Sequence, residues 1–166
     1  MSQVSHIGYD LHRNYRMRLS RRGLYALKAL LHLAEAHERG LVKIHVIADK
    51  ESIPEKFLEG ILVTLKNARA VASQRGREGG YRLRRPPEEI QIGDLVRIID
   101  GPLAPFGDVV ELTHRVRTET RQPGLFDLLL EVRNAAAAIL DHTSLADLLA
   151  RNRRLFAQRG REARRS

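Results

Sequence analysis

Apolar positions along this chain recur mostly at helical spacing, and at strand spacing in one short stretch. Ser20 can cap a helix opening at Arg21, after which Leu24, Leu27, Leu30, Leu31 and Ala34 follow at helical intervals, and Gly40 suits its end. A short second helix is expected around Val46–Lys50, with Ser52 in the turn that follows. Pro54 suits the first turn of a third helix, running to about Asn67. Phe57, Leu58, Ile61, Leu62 and Leu65 fall in one wide stripe of it, opposite Lys56, Glu59, Gly60, Val63 and Asn67. That pattern fits a groove-docking helix and an ordinary amphipathic helix equally well.

The pattern then changes. Val71–Arg75 and Tyr81–Arg84 read as two short strands joined by the glycine-rich turn 76–80, a β-hairpin that Pro86-Pro87 ends. No Lys-Ser/Thr pair follows the glycines, so the turn is not a phosphate-binding P-loop. Ile92–Asp100 is expected to be helical, with Leu95, Val96 and Ile99 inward, and Gly101-Pro102 breaks it. Residues 102–124 read as a loop with some helix. Leu125–Asp141 carries the strongest helical signal of the second half. Phe126, Leu129, Leu130, Ala136, Ala137 and Leu140 line one side of it, with no obvious cover within the chain, so a dimer seam is expected there. Packing on its own domain is the competing reading. Ser144, three residues before Asp147, can cap a last helix through Leu149, and the arginine-rich tail from Arg151 is expected to fray.

Charge sharpens this picture. The 166 residues carry 29 Lys+Arg against 20 Asp+Glu, a net charge of +9, and 43% are hydrophobic, enough for a core. Residues 1–22, 66–85 and 151–166 hold the excess, at +4, +6 and +6, while 86–150 is at −6. The internal basic block coincides with the hairpin. It alternates with apolar residues and glycines, so it reads as an ordered surface for phosphate contact. Cysteine is absent, which excludes disulfides, thiolate zinc sites, a cysteine nucleophile and cysteine-held clusters. No apolar run reaches membrane-spanning length and the first sixteen residues lack an apolar signal core, so a soluble, cytoplasmic protein with an anionic partner is expected. No nucleophile–base pair or metal constellation points to an enzyme.

Helix, short helix, turn, amphipathic helix and basic hairpin is the order of a winged helix-turn-helix. Arg18-Leu19-Ser20, Tyr25-Ala26-Leu27, Ile47-Ala48, Ile53-Pro54-Glu55-Lys56-Phe57-Leu58-Glu59, Arg75-Gly76, Gly79-Gly80-Tyr81-Arg82-Leu83 and Ile92-Gly93-Asp94-Leu95-Val96 occur in series. Together they resemble the Rrf2 (BadM-type) family of bacterial transcription regulators, over about Met17 to Leu149. The resemblance implies a mainly α fold with a small β-hairpin, and a long C-terminal dimerisation helix. It implies a homodimeric regulator of double-stranded DNA, usually a repressor. The third helix would enter the major groove and the wing the flanking minor groove. Carried over by position, Lys56, Phe57 and Glu59 match recognition-helix residues, Arg75 the wing arginine, and Ser20 and Arg21 the phosphate-approaching start of the first helix; Arg77 and Arg82 of the hairpin join the expected DNA-binding set. Phe126, Leu129, Leu130, Ala137 and Leu140 form the expected dimer set.

The expected organisation is an N-terminal extension 1–16, a DNA-binding domain 17–100, a sensor-position loop 101–124, the dimerisation helix with a short terminal helix 125–150, and a basic tail 151–166. Met17 is a candidate physiological start. The cluster-binding members of the family place three cysteines after a Gly-Pro-Leu segment, here Gly101-Pro102-Leu103, and none follows. No cofactor is expected, and the effector, a partner protein or a small molecule, is left open. Asp108, Glu111, His114 and Glu119 read as solvated loop residues. Gly60 stands where the family commonly has glutamine, Ala68-Arg69 where it has glycine, and Lys43 where it has a capping Ser or Thr. The competing function is a winged-helix module that binds a protein and touches nucleic acid without reading it.

Overall fold

A computed structural model of the chain describes residues 19–101 and 108–164. The N-terminal extension, the Met17 start, the first part of the 101–124 segment and the last two residues lie outside the described residues. The elements are α1 (Arg21–Glu35), α2 (Ile44–Glu51), α3 (Glu55–Asn67), β1 (Val71–Gln74), β2 (Gly80–Leu83), α4 (Ile92–Asp100), α5 (Val109–Thr118), α6 (Pro123–Asp141) and α7 (Leu145–Glu162). This is a mainly helical fold with one antiparallel hairpin, a winged helix-turn-helix followed by three further helices.

The core forms where α1, α2, α3 and α4 turn their apolar stripes together, closed by the hairpin and the start of α7. Leu30, Leu33, Ile47, Leu58, Ile61, Leu62, Leu65, Leu95 and Leu145 are fully buried. Each such side chain is worth roughly 1.5–3 kcal/mol relative to exposure, so this cluster holds α3 at a fixed tilt. The hairpin pairs Val71 with Leu83 and Gln74 with Gly80. On its other side Tyr81 exchanges two backbone hydrogen bonds with Val42, both 2.8 Å, which seats the wing against the segment leading into α2. That approach needs a glycine next door: a Cβ on Gly80 would stand 2.6 Å from the Val42 carbonyl oxygen.

Several boundaries move from expectation. The first helix stops at Glu35, and a 3-10 turn, His37–Arg39, separates it from Gly40, which takes φ +97°. β1 begins as expected but ends one residue early, so Arg75 lies in the turn, and β2 starts and ends one residue earlier than expected. The 102–124 stretch contains a ten-residue helix, α5, because Asp108 caps it by accepting from the Val110 and Glu111 amides. The largest departure is α7, which continues through the arginine-rich segment to Glu162 in place of fraying from Arg151. A full capping box between Ser144 and Asp147 nucleates it, and arginine is a good helix former.

The two halves are joined around residues 90–93 and 141–145. Ile92 N donates to the Thr143 carbonyl (2.8 Å), and Leu145 N to that of Ile90 (3.0 Å). Arg97 on α4 pairs with Asp141 at the end of α6, N···O 2.7 Å. Gly93 leaves the room for this, since a Cβ there would meet the Asp141 carboxylate. The hydrogen bond from Arg97 holds the Asp141 carboxyl below its ordinary pKa, and Coulomb attraction adds to it. A carboxyl depressed on folding stabilises above its unfolded pKa, and that contribution is lost as pH falls through the folded value. Asp141→Asn is therefore expected to lower the denaturant midpoint at pH 7 and to lower it less at pH 3. Both side chains are more than a third exposed, which limits the effect to about 1 kcal/mol or less. An equal loss at both pH values would assign the effect to packing.

Candidate nucleic-acid interface

The start of α1, the outer face of α3 and the wing supply the expected DNA-binding residues. Ser20 caps α1, its Oγ accepting from the Gly23 amide at 2.8 Å. The Ser20 amide donates to Asp100 Oδ2 (2.9 Å) and its hydroxyl to Asp100 Oδ1, so the last residue of α4 pins the first turn of α1. Arg21 is exposed beside it. Arg22 donates to Thr64 Oγ1 on α3 at 2.6 Å and ties the two helices together on the same side.

On α3, Leu58, Ile61, Leu62 and Leu65 face inward, while Lys56, Glu59, Gly60, Val63, Lys66 and Asn67 are exposed. Phe57 is the exception to the expected stripe. It is 45% exposed and stands at the edge of the core, edge-to-face on Tyr25 with centroids 5.7 Å apart. Lys43 precedes α2 without a side-chain cap, and its carbonyl accepts from the Val46 amide at 3.1 Å. Arg69 takes φ +59°, the left-handed conformation that a glycine adopts at no cost.

The wing stands over a cleft of about 450 Å³ between α2, α3 and the hairpin. Lys43, His45, Val63, Lys66, Ser73, Arg75 and Arg77 are among its lining residues, and none of the lining residues is acidic. Arg75 and Arg77 thus come together with each other, but Ser20, Arg21, Lys56 and Glu59 lie outside the cleft lining, and Arg82 is exposed on β2. Lys66 belongs to the basic block 66–85, whereas Lys43 and His45 were not legible as members of this surface. Only the pairing of Val42 with Tyr81 brings the start of α2 under the wing. Lysines and arginines gathered without counter-charges, beside the free end of a helix, form a surface for polyanions.

The expected dimer residues sit on the side of α6 that faces its own chain. Ala137 is 6% exposed, Leu140 packs on the core, and Phe126 lies beneath the Arg115 guanidinium of α5, 5.6 Å from its ring centre. Leu129 and Leu130 are half-buried on the same arc. The opposite arc leaves Leu125, Leu128, Val132 and Ile139 exposed, with Ala135 between them. These positions alternate steps of three and four, the spacing of a two-helix seam.

Residues 19–151 match the Rrf2 family model, described as "Iron-dependent Transcriptional regulator". A proposed HTH-type transcriptional regulator of Mycobacterium tuberculosis is 40% identical over 134 residues, 80% of this chain and 81% of that one. The HTH-type transcriptional regulator CymR of Bacillus subtilis is 35% identical over 132 residues, 80% of this chain and 89% of that one. The solved structure of CymR, titled as the global cysteine regulator of that organism, superposes with a TM-score of 0.70 at 32% identity, covering 81% of this chain and 98% of that chain. The family description names iron. This chain has no cysteine, and among the described residues no three His, Asp or Glu side chains gather to hold a metal ion, so the described residues do not fit such a centre.

Proposed function

We propose that this chain, which belongs to the Rrf2 family of DNA-binding transcriptional regulators, is a repressor that binds a two-fold symmetric operator as a homodimer. The observation that carries this is the cleft free of acids between the outer face of α3 and the wing. In this reading α3 enters the major groove of each half-site, and Lys56 and Glu59 reach base edges, Glu59 accepting from a cytosine amino group. Arg75 at the wing tip enters the flanking minor groove, where narrowing deepens the negative potential. Arg21, Lys43, Lys66, Arg77 and Arg82 hold the phosphates, a contribution that falls with salt, while Ser20, whose amide and hydroxyl both donate to Asp100, positions the helix start that carries Arg21. The exposed seam Leu125, Leu128, Val132, Ala135 and Ile139 of α6 meets its mate across the two-fold axis.

A regulator of this kind works in the cytoplasm, and among the described residues no helix is long and apolar enough to cross a membrane. Its signal is an effector protein or a small molecule, since the cluster ligands are absent. The test is selection of genomic fragments by the purified chain at physiological salt. A recurrent site with symmetric halves about one helical turn apart is the expected result. Enrichment without a motif would overturn the reading in favour of a protein-interaction module with a sticky basic surface.

A further inference from the structure

The exposed face of α3 is chemically unlike the rest of the basic surface. At about 100° per residue, Lys56, Gly60, Val63 and Asn67 stand opposite the buried stripe of Leu58, Ile61, Leu62 and Leu65. Val63 lies at the centre of that face and is 53% exposed. One turn earlier, Gly60 offers no side chain, and a Cβ there would meet nothing within 4 Å. A β-branched apolar residue in a helix's solvent face weakens the helix slightly and adds nothing to the core. Val63 nevertheless lines the same cleft as Lys66, Arg75 and Arg77, so it belongs to the surface that the phosphates would close over.

Neither Gly60 nor Val63 has a side-chain donor or acceptor, so from these positions no side-chain hydrogen bond can reach a base edge. The feature of the major groove that an apolar side chain reads is the C5 methyl of thymine. Resting on the DNA-binding reading above, we propose that Val63 selects a thymine in each half-site through that methyl. Gly60 leaves the vacancy that lets the base edge approach the helix backbone. Lys56 and Asn67 flank the contact along the same face and supply the polar readout on either side.

Uracil keeps every hydrogen-bonding group of thymine and lacks only the methyl, so it isolates this contact. The experiment uses the full chain and a duplex carrying the selected operator, with each thymine replaced singly by uracil and affinity measured at fixed salt. One thymine per half-site is expected at which uracil weakens binding about three- to fivefold, the value of burying one methyl-sized group. In Val63→Ala, a substitution that favours the helix and leaves the core untouched, that ratio is expected to fall to near one, and Val63→Ile is expected to preserve it. A motif-binding protein with no uracil-sensitive position, or one whose sensitivity survives Val63→Ala, overturns the assignment and leaves the regulator reading standing. A selection that yields no motif removes the premise, and the assignment with it.

Discussion

Val132→Asp is expected to give a folded monomer that has lost tight operator binding. Val132 is 39% exposed and sits mid-way along the outward arc of α6, so a single chain carries the aspartate in water at little cost. In a dimer built on Leu125, Leu128, Val132, Ala135 and Ile139 the same carboxylate would be buried, facing its symmetry mate across the axis. Burying an unpaired ion costs several kcal/mol, more than about a thousandfold in the dimerisation constant. Light scattering would report the mass, and titration with a two-half-site operator the affinity. The contrasting variant is Leu130→Asp, on the arc that packs within the chain, which is expected to lower the melting temperature. A Val132→Asp protein that remains a dimer would return the seam to the arc of Phe126, Leu129, Leu130, Ala137 and Leu140.

Arg75→Ala is the second substitution with a large expected effect. Arg75 follows the last residue of β1 and precedes Gly76, whose φ of +106° turns the chain, so it projects from the tip of the wing. Loss of one arginine contact is expected to weaken specific binding by about 1–3 kcal/mol and to reduce the salt slope by about one. Preference for A·T pairs flanking the half-sites is expected to flatten, because that preference depends on a cation placed in a narrow minor groove. Competition between duplexes differing only in the flanks would measure it. Unchanged affinity and flank preference would remove Arg75 from the interface.

Much of this architecture is legible in local signals. The bounds of α4 follow from its apolar spacing and the Gly101 stop, and the start of α7 from Ser144 and Asp147. Helix α3 follows from Pro54 and the stripe of four buried residues. What stays hidden is whatever depends on a second element. Helix α6 is apolar on two arcs, and periodicity cannot say which of them α5 will cover. The stripe on α3 likewise includes Phe57 by angle, yet the core ends at Leu58 and leaves the ring on Tyr25. Lys43 and His45 become neighbours of Arg75 only after Val42 pairs with Tyr81. Arg69 shows the opposite case: the missing glycine was visible in the sequence, and the backbone took the left-handed turn regardless. Non-glycine residues pay roughly 1 kcal/mol there, which the buried Leu65 and Val71 on either side outweigh.

The carboxylate of Asp100 has a mechanical meaning. It ends α4, it holds both the amide and the hydroxyl of Ser20, and the chain leaves it directly for Gly101. Gly23 presses against it from the next turn of α1. Such an arrangement is a clutch. A displacement of the backbone at residue 101 must either drag the start of α1 with it or release Ser20 altogether. The first outcome reorients the helix end that the proposed function places at the operator, and the second frays it. The end of α4 is therefore linked to the start of α1 by a single side chain.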